Sequence, residues 1–275
     1  MNRIISSYPL FKMWLSELSE TSALLWNKGW AEANAGNVSI DVTDTLPDMD
    51  GSRFLDGVSV SMNGLAYPGL AGRCFLVSGS GCRFRDIARD PESGTCVIQL
   101  SSDGREYRML SGCAAGKQPF KPTSELPTHL MLHSHMRANT PDEKVVLHTH
   151  PTELVALSHL KRFSSEASLN KALWGMLPEV KVLVPRGVGV TGYMLPGSVG
   201  LARATAGKFE EGFRAVIWEK HGCLAAAKDI VTAFDRIDAL NKGAQVLLHC
   251  ISAGEVPDGL SAADLDELAR AFNLD

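Results

Sequence analysis

Short apolar runs of strand length alternate with helix-period stretches along the whole chain, which restricts the fold to a layered α/β arrangement. The clearest helix starts at an Asp229 cap and runs to about Ala253. It carries Ile230, Phe234, Ile237, Leu240, Ala244, Leu247 and Ile251 along one stripe. A second spans Leu10 to Ala33, with Leu10, Trp14, Leu18 and Leu25 on one face beside Trp26 and Trp30. Further helices are expected from Pro122 to about Arg137, from Thr152 to Leu160, from Ser198 to Gly212 and from Ser261 to Phe272. Strands are expected at Val38 to Asp41, Cys74 to Val77, Val145 to Leu147, Lys181 to Val184, Ala215 to Trp218 and Leu224 to Ala226. Thr95 to Ser101 and Glu106 to Leu110 flank S-D-G, a hairpin turn. Residues 43–72 read as a long excursion with one short strand at Val58 to Met62, and 112–121 as a loop. No repeat or low-complexity tract divides the chain, so a single domain over residues 1–275 is expected.

Charge narrows the function. The formal net charge is -4, so no overall basic field attracts nucleic acid or an anionic membrane, and an anionic substrate must be bound locally. No apolar run approaches ~18 residues, the start lacks a signal-peptide layout, and the six cysteines are scattered without C-x-x-C. These features predict a cytoplasmic protein with reduced thiols and no membrane partner.

V-V-L-H-T-H-P-T, Val145 to Thr152, carries the chemistry. Residues two apart on a strand share a face, so His148 and His150 aim at one point and can grip a divalent cation. The bland alternative is a polar strand end. His221 sits at another strand end, before Gly222, which allows close approach. Three histidines with an open fourth position are a catalytic zinc arrangement. The rival set, His129, His133 and His135, lies on a helix without an H-E-x-x-H. His133 and His135 read as solvated or hydrogen-bonded, and His159 and His249 as structural. Glu125 shares a face with His129 and His133. It is a fourth ligand, a general base, or a plain acidic residue at a helix start. The S-G-S-G turn, Ser78 to Gly81, offers N–H and hydroxyl groups to an anion, but it is neither a P-loop nor a dinucleotide fingerprint. Arg83 and Arg85 beyond it read as solvated or paired with Asp86 and Asp90.

The order N-A-G-N-V-S, S-G-S-G, T-S-E-L-P, H-T-H-P and then H-G resembles the class II aldolase/epimerase family over nearly the whole chain. The length, K-G-W-A-E-A-N-A-G-N, the 43–72 excursion, L-W-x-x-x-x-E and V-P-x-G-V-G are most similar to the branch that cleaves a 6-deoxyhexulose 1-phosphate. The resemblance implies a three-layer α/β/α sandwich around a mixed, largely antiparallel sheet. It implies a Zn2+ ion on His148, His150 and His221, and Glu125 as acid/base. It matches Asn34, Gly36, Asn37, Ser80, Gly81 and Ser124 to the corners around a substrate phosphate, and Glu179 to a second carboxylate near the aldehyde half. The implied reaction is reversible cleavage of the sugar phosphate to dihydroxyacetone phosphate and an aldehyde through a metal-stabilised enediolate. The implied assembly is a homotetramer with active sites near subunit borders. A 4-epimerase, a related aldolase and a non-catalytic sugar-phosphate binder are the alternatives. Ala35, where a glycine is frequent, and Cys82 and Arg83 depart from the pattern.

Overall fold

A computed structural model describes residues 8–46, 59–112 and 120–274. Cys113, much of the expected 112–121 loop, Val58 and part of the 43–72 excursion lie outside these residues.

The chain opens with helix α1 (Pro9–Asn27). Its buried stripe is Phe11, Trp14, Leu15, Leu18, Thr21, Ser22 and Leu25, whereas Leu10 and Trp26 are exposed. The expected face was rotated because two small polar residues, Thr21 and Ser22, complete the true one. The helix also stops short of Ala33. Gly29 takes φ +73, and Trp30 turns into the core beyond the helix end.

Strand β1 (Asn37–Asp41) follows, then the two-residue β2 (Val60–Ser61), β3 (Cys74–Ser78), the short helix α2 (Phe84–Ile87), and the hairpin β4 (Thr95–Leu100) and β5 (Glu106–Ser111). Helix α3 (Leu126–Asn139) leads into β6 (Val145–Thr149) and α4 (Thr152–Ser158). Next come α5 (Glu166–Met176), α6 (Pro178–Leu183), β7 (Gly189–Thr191), α7 (Val199–Glu210), β8 (Ala215–Trp218), β9 (Gly222–Ala227), α8 (Ile230–Ser252) and α9 (Ala262–Phe272). The strand expected at Lys181 to Val184 is thus corrected to helix α6. K-V-L-V is a short apolar run of strand length, but Pro178 in the first turn pre-sets a helix. Val180 is buried, and the Lys181 ammonium donates to the Pro185 carbonyl at 2.9 Å.

The nine strands among the described residues form one sheet in the order β2-β5-β4-β3-β1-β6-β9-β8-β7. Every pairing is antiparallel except β7 with β8. The sheet is therefore mixed and largely antiparallel, with helices on both faces. Alternation along each strand sorts the core: Val145, Leu147, Ala215 and Ile217 face one cluster with α1, α4 and α8, while Val146, Val216 and Trp218 face another with α3 and α7. On α8, Asp229 accepts from the Thr232 N–H at 2.6 Å, and Phe234, Ile237, Leu240 and Leu247 are buried. Each is worth about 1.5–3 kcal/mol of burial. Asn241 on that helix accepts from the N–H groups of Glu153 and Leu154, at 3.2 Å each, and so ties down the first turn of α4 behind H-T-H-P.

Candidate active site

The antiparallel pairing of β6 with β9 sets Thr149 opposite Cys223. The end of one strand therefore lies beside the start of the other, and His148 and His150 meet His221 despite their distance in sequence. Lys220, at φ +60, makes the tight turn that delivers His221, whose N–H bonds the Trp218 carbonyl at 3.0 Å. The ring centroids stand 5.2 Å (148–150), 4.9 Å (148–221) and 5.1 Å (150–221) apart. One nitrogen of each ring lies within 4.8 Å of the others.

Neighbours fix which nitrogens face inward. His148 Nδ1 donates to the Cys223 carbonyl at 3.0 Å, and its ring lies 4.4 Å from the buried Trp218. His150 Nδ1 pairs with Glu32 at 2.7 Å. Both rings thereby keep Nε2 as a lone-pair donor. His148 Nε2 and His221 Nδ1 are buried with no hydrogen-bond partner among the described residues. Burial, followed by the neighbouring rings, holds His148 well below the usual imidazole range. Burial and then His150 push His221 down to about 4. Ring nitrogens from three histidines converging on one point are the donor set that a divalent cation requires.

Glu125 completes the floor. It precedes α3, is buried, and its oxygens lie 3.9 Å from His148 Nε2 and 3.9 Å from His221 Nε2. Burial raises its pKa, opposed by a 2.9 Å hydrogen bond from Asn37 Nδ2. A carboxyl poised in this way is suited to proton transfer.

Above this floor two loops meet. Gly79 bridges Pro122, the Ser80 N–H donates to the Lys121 carbonyl at 2.8 Å, and the Thr123 N–H to the Ser78 carbonyl at 2.9 Å. Asn34, Gly36, Asn37, Ser80, Gly81, Ser124, Glu125, His148, His150 and His221 all line one cavity, together with Ala35, Gly79 and Thr123. Gly36 has φ +79, and a Cβ there would lie 2.8 Å from the His148 carbonyl, so only glycine lets this turn touch β6. The Asn34, Ser80 and Ser124 side chains carry no hydrogen bond among the described residues.

Glu179 does not join the group. It is exposed in the first turn of α6 and is not part of the cavity lining. His133, read as solvated or hydrogen-bonded, is buried and bonded to Ser39, and His129 is equally enclosed. Arg85 stacks over Trp26 at 5.1 Å. His159 and His249, read as structural, are exposed near helix ends. Sequence reasoning missed Glu32 on His150 and the Trp30 carbonyl, which accepts from the Thr149 hydroxyl at 2.6 Å and the His150 N–H at 2.9 Å. The run of tryptophans near the end of α1 was the available signal for the latter.

Gly222 is the point of closest approach. A Cβ there would lie 2.5 Å from the Thr149 carbonyl, 2.8 Å from His148 Cε1 and 2.9 Å from His150 Cδ2. Gly222→Ala should therefore splay two imidazoles. We expect a stability loss of about 1–3 kcal/mol in urea unfolding, with weaker cation binding in a metal titration.

Comparison with known proteins places this geometry. The family described as Class II Aldolase and Adducin N-terminal domain matches residues 16–248. A Bacteroides thetaiotaomicron protein named rhamnulose-1-phosphate aldolase is 37% identical over 275 residues, 100% of this chain and 99% of that one. One of the same name from Listeria welshimeri is 35% identical over 266 residues, 94% and 92% of the two chains. Among solved structures, a sugar-phosphate aldolase from Thermotoga maritima aligns with a TM-score of 0.76 at 34% identity, covering 90% of this chain and 99% of that one. An L-fuculose 1-phosphate aldolase aligns at 0.61 with 19% identity, over 94% and 96% of the two chains, and supports the fold alone.

Proposed function

We propose, from the premise that this chain belongs to the class II aldolase family, that it reversibly cleaves L-rhamnulose 1-phosphate to dihydroxyacetone phosphate and L-lactaldehyde. The observation that carries the reading is the convergence of three imidazoles with one buried carboxyl in a loop-walled cavity. His148, His150 and His221 are the metal ligands, and three nitrogens with an open position favour Zn2+. A zinc ion bound there would supply Lewis-acid polarisation of the substrate's ketone. Glu125 moves the proton at C3 of dihydroxyacetone phosphate: it removes it in the synthetic direction and returns it on cleavage. No lysine lines the cavity among the described residues, so a Schiff base has no amine to form on.

The phosphate is held by Asn34, Ser80 and Ser124 and by the backbone turns at Gly36 and Gly81, which supply hydrogen bonds without a cationic patch. Asn37 lines the same cavity; its amide oxygen faces His129 and one N–H goes to Glu125, which leaves its second N–H for the phosphate. Glu179 reaches an aldehyde only across a subunit border, which accords with a homotetramer whose active sites lie near such borders. One continuous sheet supports a single domain over residues 1–275. No helix among the described residues is long and apolar enough to cross a membrane, in keeping with a cytoplasmic enzyme.

Purified protein should be assayed on L-rhamnulose 1-phosphate, L-fuculose 1-phosphate and L-ribulose 5-phosphate with product identification. The reading predicts release of lactaldehyde and dihydroxyacetone phosphate, fastest from the first substrate. An epimerised phosphate without fragments would make the protein a 4-epimerase, and binding without turnover would make it a non-catalytic member.

A further inference from the structure

Behind Glu125 runs a chain of buried polar side chains, of which Asn37 also lines the cavity while Ser39, His129 and His133 lie outside it. Asn37 Nδ2 meets Glu125 Oε2 at 2.9 Å, and Asn37 Oδ1 meets His129 Nε2 at 2.5 Å. His129 Nδ1 meets the Ser39 hydroxyl at 2.7 Å, and that hydroxyl meets His133 Nε2 at 2.8 Å. All four residues are buried.

The hydrogen positions follow from the carboxylate outward. An ionised carboxylate only accepts, so the amide end that faces it is the NH2 group. The Asn37 oxygen then faces His129, which must donate from Nε2. His129 Nδ1 is left as an acceptor, and among the described residues only the Ser39 hydroxyl reaches it. With its one hydrogen spent, Ser39 accepts from His133 Nε2–H. Every link therefore donates toward Glu125, and no member has a second arrangement open to it while the carboxylate is charged. Burial pushes His129 down to about 3 and His133 down to about 4, so both rings are neutral near pH 7, each with the one donor and one acceptor this requires.

We infer that His129, oriented by Ser39 and His133, is a positioning residue that locks the Asn37 amide with its donor toward Glu125 and so aims the carboxylate at the substrate carbon. The inference rests on the reading of Glu125 as the acid/base. The two β1 side chains, Asn37 and Ser39, lie on one face of the strand, and His129 and His133 lie one turn apart on α3. Sheet and helix are thus joined through the base they position. Loss of the donor at His129 Nε2 frees the amide to flip and present its oxygen to the carboxylate. An error of ~1 Å in the position of a reacting group costs on the order of 10²-fold.

The test compares Ser39→Ala, His129→Asn and His129→Gln with wild-type protein. Asparagine keeps an acceptor near Ser39 but loses the distal donor, whereas glutamine reaches the Nε2 position. Wild-type cleavage of L-rhamnulose 1-phosphate checks the underlying reading separately: its absence would sink that reading and not this one alone. Given wild-type activity, Ser39→Ala and His129→Asn should lower kcat roughly 10–100-fold while KM stays within about twofold. Solvent-deuterium exchange into dihydroxyacetone phosphate should fall by the same factor, with bound metal unchanged. His129→Gln should recover to within about threefold of wild type. Wild-type kcat in the folded Ser39→Ala and His129→Asn proteins would overturn the inference. So would an equal loss in His129→Gln, or a kcat loss matched by metal loss. If His129→Asn does not fold, Ser39→Ala decides alone.

Discussion

Glu125→Gln should lower kcat for aldol cleavage by about 10²–10⁴-fold while the protein stays folded and keeps its metal. Glutamine is isosteric, and its oxygen can still accept from Asn37 Nδ2, so the hydrogen bond now spanning 2.9 Å survives. What disappears is the charge and the ability to exchange a proton. Burial disfavours the ionised form of Glu125 in the folded protein, so the neutral side chain relieves a cost. The variant should therefore unfold at the same temperature as wild type or higher, a trade of stability against activity. A scan with parallel metal analysis and turnover measurement separates this from general damage. Near-normal turnover by Glu125→Gln would remove Glu125 from the reaction. A large loss of metal would make it a ligand.

The second large effect is at the histidines, and the three are not equivalent. His150→Ala should release the metal with little change in unfolding free energy. Its ring is partly exposed, and its partner Glu32, 63% exposed, returns to water when the ring is gone. His148→Ala should release the metal and also cost about 2–4 kcal/mol. It empties a buried site against Trp218 and leaves the Cys223 carbonyl without its donor. Removing an outer partner of a ligand weakens metal binding 10–100-fold, so loss of a ligand itself should exceed that. Metal affinity and urea unfolding on both variants test the contrast. Full metal occupancy in either would show that the ring is not a ligand, and equal stability losses would contradict the packing argument.

Much of this arrangement was legible in the amino-acid order because it depends on local rules. Asp229 before an unbroken apolar stripe specified α8, S-D-G specified the β4–β5 hairpin, and Gly222 after His221 marked a close approach that the backbone geometry requires. Features that depend on pairing between distant segments were not legible. Nothing local says that Thr149 lies opposite Cys223, the register that turns two strand ends into one ligand set. Nor does a helical i, i+4 pair reveal whether His129 and His133 face water or a strand. Their partner Ser39 is a small hydroxyl on β1 that any surface strand could carry. Helix α6 escaped because a short, β-branched apolar run such as Val182 to Val184 fits a strand as well as a helix, and no element is expected from the sequence at α5, Glu166–Met176. Glu179 shows the same limit: only the resemblance sets it near the aldehyde half, and in the fold it is exposed in the first turn of α6, outside the cavity lining.

The most direct measurement is turnover of L-rhamnulose 1-phosphate before and after chelation, with circular dichroism recorded on the same samples. The account predicts about one metal ion per chain at the three-histidine site. It predicts loss of cleavage when that ion is removed, a folded apoprotein, and recovery on adding Zn2+. Cleavage that persists in metal-free protein would contradict it, as would unfolding on metal removal, which would make the ion a structural staple and not a catalytic one.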